Sequence, residues 1–218
     1  MSLTQDLQNL GTALASQLPP DVLGVLGRAA EQLAAAAPTK GSVAAGAAAP
    51  DFELPDADGK TVRLSDLLRR GPVVLSFYRG AWCPFCNLEL AALQKALPAI
   101  HGLGASLVAV SPQVPDATRN TVAKHELTFP VLSDRGNRTA RQYGLVFTLT
   151  EEVRPVYAAL GVDLPASNGD DSHELPVAAT YVIAPDGIVA HAFVDVDYTK
   201  RLDPDAVLGI LQRLHETA

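Results

Sequence analysis

The chain has 218 residues, of which 48% are hydrophobic and 19% are charged, and its formal net charge is −7. This hydrophobic content is sufficient for a core, and the acidic balance argues against nucleic acid or an anionic membrane as the main partner. Its apolar runs are shorter than the ~20 residues of a membrane-spanning helix, and the first residues lack the basic and apolar blocks of an export signal. With only two cysteines, the chain is predicted to be cytoplasmic.

Residues 1–37 carry two helical patterns. Leucines recur at helical spacing up to Leu18, and Pro19-Pro20 separates them from a second apolar stripe. We expect a helical hairpin here, followed by an alanine- and glycine-rich linker at residues 38–49. Two short stripes bury little surface by themselves, so the hairpin either docks on its own domain or forms a homodimer contact.

Residues 50–218 show alternating strand and helix patterns, which predict one α/β domain with a mixed central sheet flanked by helices. Asp58-Gly59 and Pro185-Asp-Gly187 mark two hairpin turns. In chain order the patterns predict a short helix at 65–68, a strand at 73–78, a helix from Pro84, a strand at 107–110, a helix at 115–125, a strand at 129–132, helices at 138–143 and 150–160, strands at 180–183 and 188–194, and a final helix opening at Asp203-Pro204.

The two cysteines, Cys83 and Cys86, form the most informative pattern of the chain. The apolar run 73–78 is typical of a strand buried on both faces, residues 79–81 end it, and Pro84 suits the first turn of a helix. Cys83 therefore lies at a helix tip, where unpaired backbone N–H groups stabilise a thiolate. Cysteines three apart on a helix lie near enough for a disulfide. The pattern predicts a redox-active pair.

Other uses of these cysteines fit the sequence less well. A structural zinc site needs four ligands, and the five histidines include no pair at His-x3-5-His spacing. A disulfide that closes so small a loop gives little entropic stabilisation. We therefore predict neither a metal nor another cofactor. A redox-silent binding module remains a third class, and it would keep both thiols after peroxide treatment.

Several residues could support the cysteines. Arg79 could hold the thiolate or be a solvated loop residue, and Trp82 could form a pocket wall or simply pack. Pro84 opens the cysteine helix. His173, beside Glu174, could carry protons or belong to a solvated loop. A separate group near the last strand is predicted to form a surface ion network: Asp195, Asp197 and Arg201.

The run FYRGAWCPFC at residues 77–86 resembles the active-site segment of the peroxiredoxins of the alkyl hydroperoxide reductase/thiol-specific antioxidant kind, with a thioredoxin-like Cys-x-x-Cys inside it. Three further runs resemble that family's first hairpin, the segment after its third strand and its late hairpin: APDFELPDADGKTVRLSDL, FPVLSDRGNRTARQYGL and ATYVIAPDGIV. The resemblance spans residues 49–215 and leaves the N-terminal hairpin uncovered. It implies a thioredoxin-like fold of the peroxiredoxin type.

The same resemblance implies an antioxidant thiol peroxidase. Its substrates would be hydrogen peroxide or organic hydroperoxides, and a Cys83/Cys86 dithiol–disulfide cycle would be recharged by a thioredoxin-like donor. The alternative is a thioredoxin-like protein disulfide reductase. Two departures favour the alternative, because the family's threonine falls on Cys83 and its activating arginine falls on Ala178. By position, both the hydroxyl and the guanidinium that polarise a peroxide are therefore expected to be absent.

The sequence gives two answers for the attacking thiol. Alignment with the family places the peroxidatic cysteine at Cys86. Helical spacing instead places Cys86 on the buried stripe of Leu90, Leu93 and Leu97, with Cys83 more exposed at the tip. Burial in apolar surroundings raises the pKa of a thiol, whereas the helix tip lowers it. We therefore predict Cys83 as the first nucleophile and Cys86 as the resolving residue.

Overall fold

The structure is a computed structural model that describes residues 2–216. Two helices come first, α1 (Leu3–Gln17) and α2 (Pro20–Ala36). The hydroxyl of Ser2 caps α1 by accepting a hydrogen bond from the backbone N–H of Gln5. Helix α2 begins at Pro20. A backbone N–H in the first turn has no acceptor within the helix, so proline, which lacks this N–H, fits there without a loss. The predicted N-terminal helices are confirmed.

The remaining elements alternate between strands and helices. In chain order they are β1 (Glu53–Pro55), β2 (Thr61–Arg63), α3 (Leu64–Leu68), β3 (Val73–Phe77), α4 (Pro84–Gly102), β4 (Ser106–Ser111), α5 (Pro115–His125), β5 (Val131–Ser133), a 3₁₀ turn (Arg135–Asn137), α6 (Arg138–Gln142), β6 (Val146–Thr148), α7 (Arg154–Ala159), α8 (Leu164–Asn168), β7 (Glu174–Pro176), β8 (Ala179–Ile183), β9 (Val189–Val194) and α9 (Pro204–Glu216).

The central sheet has five strands in the order β5-β4-β3-β8-β9. Strands β3, β4 and β5 are parallel, whereas β8 runs antiparallel to both β3 and β9. Two small sheets pair β1 with β2 and β6 with β7. The predicted mixed sheet flanked by helices is confirmed.

Both faces of β3 are covered, and every residue of this strand is buried. Side chains alternate between the faces of a strand. Val74 joins a cluster formed with α1, α4 and α9. Leu75 and Phe77 face the opposite cluster, where Tyr143 and Tyr181 pack edge-on. Because β3 is central, the loop that follows it emerges between two packed layers.

The N-terminal segment packs onto the sheet domain. Leu3 and Leu7 of α1 are buried in the cluster that contains α4 and α9, so the hairpin docks on its own chain. Helix α2 contains no fully buried residue. Residues 43–49 hydrogen bond to Tyr143, Gly187 and Val189 rather than running free. The division into residues 1–37, 38–49 and 50–218 stays a prediction.

Two predicted boundaries differ from the structure for reasons of proline chemistry. Strand β5 begins at Val131 and not at 129, because Pro130 has no N–H to donate to a neighbouring strand. Helix α7 covers Arg154–Ala159 and not 150–160, because Pro155 fits only the first turn of a helix. The short pair β6–β7 and helix α8 were not predicted.

Candidate active site

The loop after β3 delivers both cysteines to the start of α4, as predicted. Cys83 is the N-cap residue, and Pro84 is the first helical residue. The backbone N–H of Cys83 donates to the carbonyl of Gly80 at 3.1 Å. The side chain of Gln113 accepts from the N–H of Ala81 at 3.0 Å, which ties this loop to the end of β4. These two hydrogen bonds hold the start of α4 to the preceding loop, and that loop to the end of β4.

Both thiols are free and buried, with exposed fractions of 2% for Cys83 and 0% for Cys86. Cys83 is the more exposed of the two, as predicted, but by only a small margin, since both side chains are buried. Leucines of the N-terminal hairpin and aromatic side chains surround it and exclude solvent. Helical position alone placed Cys83 at a tip, but the tip lies beneath the hairpin.

The electrostatic environment nevertheless gives the two thiols different pKa values. A hydrogen bond from the Cys86 thiol, together with the charges of Arg79 and Arg201, lowers the pKa of Cys83 to about 5, although burial acts in the opposite direction. The backbone N–H of Cys86 also favours the Cys83 thiolate, as expected at a helix start. Burial and the neighbouring Cys83 raise the pKa of Cys86 well above the usual range. Cys83 is thus the thiolate and Cys86 the thiol.

This difference predicts a pH profile. Because the pKa of Cys83 is lowered to about 5, the thiolate predominates at neutral pH, and its reaction rate should be constant there and fall about tenfold per pH unit below the pKa. Stopped-flow oxidation of the reduced protein across this range measures the midpoint. Replacing Cys86 with alanine removes the largest stabilising contact and should move the midpoint upward. An unchanged midpoint in Cys86→Ala would contradict the assigned cause.

Arg79 lies beside the Cys83 thiolate, where the sequence left its role open. Its Nη1 atom is 4.0 Å from Cys83 Sγ, and its Nη2 atom donates to the hydroxyl of Tyr157. The guanidinium carbon lies 5.0 Å from the ring centroid of Trp82 and 4.5 Å from that of Tyr198. Within residues 2–216, Arg79 Nε is buried without a hydrogen-bond partner. This donor is therefore unpaired within the described residues.

Trp82 and Gly80 depend on each other for this arrangement. A Cβ atom at Gly80 would lie 2.3 Å from Nε1 of the Trp82 indole, and Gly80 has a φ of +153°. Only glycine lets the indole fold back over the loop at this point. Trp82 also packs edge-on against Tyr157 at 5.6 Å. The indole is therefore both a packed side chain and part of the pocket wall.

A second guanidinium contacts Cys86. Arg201 donates from Nη2 to Cys86 Sγ at 3.2 Å and from Nε to Glu89 Oε2 at 2.5 Å. Its Nη1 atom donates to the carbonyls of Tyr198 and Lys200 at 2.7 Å and 2.6 Å. The predicted surface ion network is wrong for Arg201, which is only 6% exposed. Because the buried Glu89 carboxylate needs a partner, it draws Arg201 inward.

Lys200 takes the place predicted for Arg201 at the surface. Its ammonium lies 3.4 Å from the Asp195 carboxylate and 3.6 Å from that of Asp197. The two acidic residues therefore form the expected exposed network with the neighbouring cation of the chain. A long side chain at 200 points outward, and the next one at Arg201 points inward.

Glu89 was missed by the sequence reasoning. It is 1% exposed, and the hydroxyls of Ser76 and Thr180 donate to it at 3.4 Å and 3.3 Å. Burial raises the pKa of this carboxyl to about 7, and the charge of Arg201 limits the rise. One signal was available: Glu89 is a charged residue close to the apolar face of the cysteine helix, three positions after Cys86.

The family's activating guanidinium is absent at Ala178, as expected by position, but two other guanidiniums reach the cysteines. Ala178, where the family's arginine was expected, lines an apolar cavity together with Arg79. Arg79 and Arg201 approach the cysteines from two other segments, one before and one far after the cysteine helix. The positive charge is present, but it comes from different positions in the chain.

His173 does not join this cluster. It lines a neighbouring surface pocket with Arg154, Asp163 and Pro165, which shares Tyr157 and Val162 with the Cys83 pocket. Its Nδ1 atom is buried with no hydrogen-bond partner in the described part of the chain. Its backbone carbonyl accepts from Leu149 at 3.0 Å. The structure therefore gives His173 no contact through which it could exchange a proton with either thiol.

Residues 2–216 contain no group of three or more His, Cys, Asp or Glu side chains that could hold a metal ion. Within the same residues, no helix combines the length and apolarity needed to cross a bilayer. The described site brings together the thiols of Cys83 and Cys86, the guanidiniums of Arg79 and Arg201, and the buried carboxylate of Glu89.

A thioredoxin-like sheet with a Cys-x-x-Cys pair at a helix start defines a thiol-dependent oxidoreductase. The AhpC/TSA family matches residues 45–192, and the chain belongs to this family. Its activity is that of a thiol-dependent peroxidase or a thiol–disulfide oxidoreductase, and it shares the peroxiredoxin fold.

Individual relatives fall into both of these activity groups. Chloroplastic peroxiredoxin Q of Oryza sativa subsp. japonica is 29% identical over 178 residues, which cover 80% of this chain and 69% of that protein. Thiol-disulfide oxidoreductase ResA of Bacillus thuringiensis subsp. konkukian is 32% identical over 102 residues, 46% of this chain and 58% of that protein. The solved structure of peroxidoxin BcpB from Mycobacterium tuberculosis superposes with a TM-score of 0.62 at 26% identity, covering 78% of this chain and 97% of that one.

Proposed function

We propose that the protein reduces hydroperoxides, with Cys83 as the attacking thiolate and Cys86 as the resolving thiol. One observation carries this proposal: an acidic thiol that is only 2% exposed lines a pocket beside a guanidinium that has an unpaired donor. A hydroperoxide is small enough to enter such a pocket. A disulfide on the surface of another protein would have to displace the hairpin first.

The first step follows from the positions of Cys83 and Arg79. The Cys83 thiolate attacks the terminal oxygen of R–O–O–H, an S–O bond forms, and the O–O bond breaks. Cys83 becomes a sulfenic acid, and the leaving RO⁻ takes up a proton to give the alcohol. The Arg79 guanidinium, fixed by its aromatic neighbours, stabilises the negative charge that develops on the leaving oxygen.

The second step follows from the surroundings of Cys86. Its sulfur attacks the sulfenic sulfur of Cys83, the S–S bond forms, and one water molecule leaves. The oxidised protein then carries a Cys83–Cys86 disulfide. Arg201 at 3.2 Å stabilises negative charge on Cys86 as its proton departs. A thioredoxin-like dithiol returns two electrons by thiol–disulfide exchange and regenerates both thiols.

Protein disulfide reduction is the second candidate. The order of acidity, with a thiolate at the first cysteine and a thiol at the second, also suits exchange with a disulfide substrate. The N-terminal hairpin that covers Cys83 argues against protein disulfide reduction, because thiol–disulfide exchange requires in-line approach of the substrate disulfide to the attacking sulfur.

Two assays on the same reduced protein distinguish these activities. We expect rapid stopped-flow oxidation by hydroperoxide, with loss of two thiols per chain. We expect the dithiothreitol-driven reduction of insulin to be no faster than with the Cys83→Ser variant. Slow oxidation by both hydrogen peroxide and cumene hydroperoxide, together with rapid insulin reduction, would reject the peroxidase proposal in favour of disulfide exchange.

We also propose a cytoplasmic location, because a dithiol that must be regenerated is maintained best in a reducing compartment. Cell fractionation tests the location.

A homodimer contact through residues 1–37 is proposed as well, since α2 has no fully buried residue and retains surface for a second copy. Light scattering of the full chain tests the dimer, and a monomer mass at high concentration would reject it.

A further inference from the structure

The N-terminal hairpin forms one wall of the pocket that contains Cys83. Three leucines line this wall, Leu14 near the end of α1, Leu18 directly after it, and Leu26 in α2. All three are half-buried. They lie outside residues 45–192, the part of the chain that matches the AhpC/TSA family. This wall is therefore contributed by a segment outside the part of the chain that matches the family.

The rest of the pocket is also mainly apolar. Its volume is about 260 Å³, whereas an apolar cavity of about 150 Å³ in another protein is large enough to hold benzene. Arg79 and Cys83 also line this pocket and lie beside each other, so its charged groups are concentrated where the peroxide bond must lie. The remaining lining is aromatic or aliphatic: Trp82, Pro84, Phe85, Tyr157, Leu160, Val162 and Tyr198.

The pocket has an apolar rim and a neighbouring cavity. Leu160 lines the pocket and is 50% exposed, whereas most large hydrophobic side chains of the described residues are at least partly buried. A second apolar cavity of about 220 Å³ lies beneath α2 and shares Leu26, Arg79 and Tyr198 with the first. The hairpin thus covers more space than hydrogen peroxide needs, and nearly all of that space has an apolar boundary.

We propose that Leu14, Leu18 and Leu26 determine substrate specificity by selecting hydroperoxides that carry an apolar organic group over hydrogen peroxide. This inference rests on the peroxidase function proposed above. An organic group placed against these leucines leaves water and fills the pocket, whereas hydrogen peroxide gains nothing from an apolar wall. The free energy gained by burying the organic group persists in the transition state, while Cys83 attacks the terminal oxygen. It therefore raises kcat/KM for organic hydroperoxides.

The test compares kcat/KM for cumene hydroperoxide with kcat/KM for hydrogen peroxide. In the Leu18→Ala/Leu26→Ala variant the ratio of the two values should fall by about tenfold or more, since the loss of a few methylene contacts in an apolar pocket changes discrimination by about 10–200-fold. Leu18→Gln, which keeps the side-chain length but makes the wall polar, should lower the same ratio. Because these leucines are half-buried, the variants retain the buried core.

Leu10→Ala is the matched control. Leu10 belongs to the same hairpin and packs against the core near α4, but it does not line the Cys83 pocket. It should leave the ratio at the wild-type value. An unchanged ratio in Leu18→Ala/Leu26→Ala, or an equal fall in Leu10→Ala, would overturn the inference while the peroxidase function stands. A wild-type protein that reacts with neither peroxide would overturn the peroxidase function and the inference together.

Discussion

Replacing Cys83 with serine is expected to lower kcat/KM for hydroperoxide by at least about three orders of magnitude, because removal of a catalytic nucleophile leaves only residual activity. The serine hydroxyl remains protonated in surroundings that lower the pKa of the thiol to about 5. The measurement is steady-state peroxide consumption with a dithiol donor, on a variant whose circular dichroism matches the wild type.

Cys86→Ser is the matched control for this result. It keeps Cys83 as a nucleophile, so one equivalent of peroxide should still react, and a sulfenic acid should accumulate because no resolving thiol is present. A sulfenic-acid probe should therefore label Cys86→Ser and leave Cys83→Ser unlabelled. Labelling that survives only in Cys83→Ser would reverse the assignment and restore the one implied by the family alignment.

Replacing Arg201 with methionine is expected to destabilise the fold by about 3–5 kcal/mol, the cost of leaving one member of a buried ion pair without its partner. Glu89 is 1% exposed and loses its strongest hydrogen bond, at 2.5 Å. Urea unfolding measures the difference in the free energy of unfolding. Lys200→Met, a change of the same type at the adjacent exposed cation, should leave that free energy close to the wild-type value.

The destabilisation should also depend on pH, and the sign follows from Glu89. Its pKa in the folded protein is about 7, above the value of an unfolded glutamate, and loss of Arg201 raises it further. Between the unfolded pKa and about pH 7 the folded state of both proteins binds a proton that the unfolded state releases, so the penalty of the replacement is small there and grows as pH rises above about 7. A penalty that is equal at about pH 5 and about pH 8 would contradict this account.

A double variant separates the ion pair from the packing around it. Glu89→Met/Arg201→Met replaces both charges with apolar side chains of similar size, and such replacements of a buried pair are often neutral or stabilising. We expect it to recover most of the stability that Arg201→Met loses. A loss in the double variant as large as the sum of the two single losses would show that the two residues act independently.

Local signals in the sequence were sufficient for the elements that carry the cysteines. The apolar run before Arg79 predicts a buried strand, and Pro84 predicts the start of the next helix, because both signals act within a few residues. The turns at Gly59 and Gly187 were predicted for the same reason. The pairing of β6 with β7 was not, since each strand has only three residues and the two are far apart in the chain.

The partners of the two thiols required long-range information. Arg201 reaches Cys86 across 115 positions and Glu89 across 112 positions. Near Asp195 and Asp197 the local pattern indicates a surface cluster, and only the packing of the chain end against α4 turns Arg201 inward. Cys83 looks exposed at a helix tip until the hairpin leucines are placed over it.

The sequence by itself determined that two cysteines lie at the start of a helix behind a buried strand, because strand, turn and helix-start signals are local, and its resemblance to the peroxiredoxins implied the type of fold. The tertiary structure alone decided how those cysteines are enclosed and which guanidinium touches each of them. Burial and charge at a site depend on side chains brought from distant segments, and no local spacing records that arrangement.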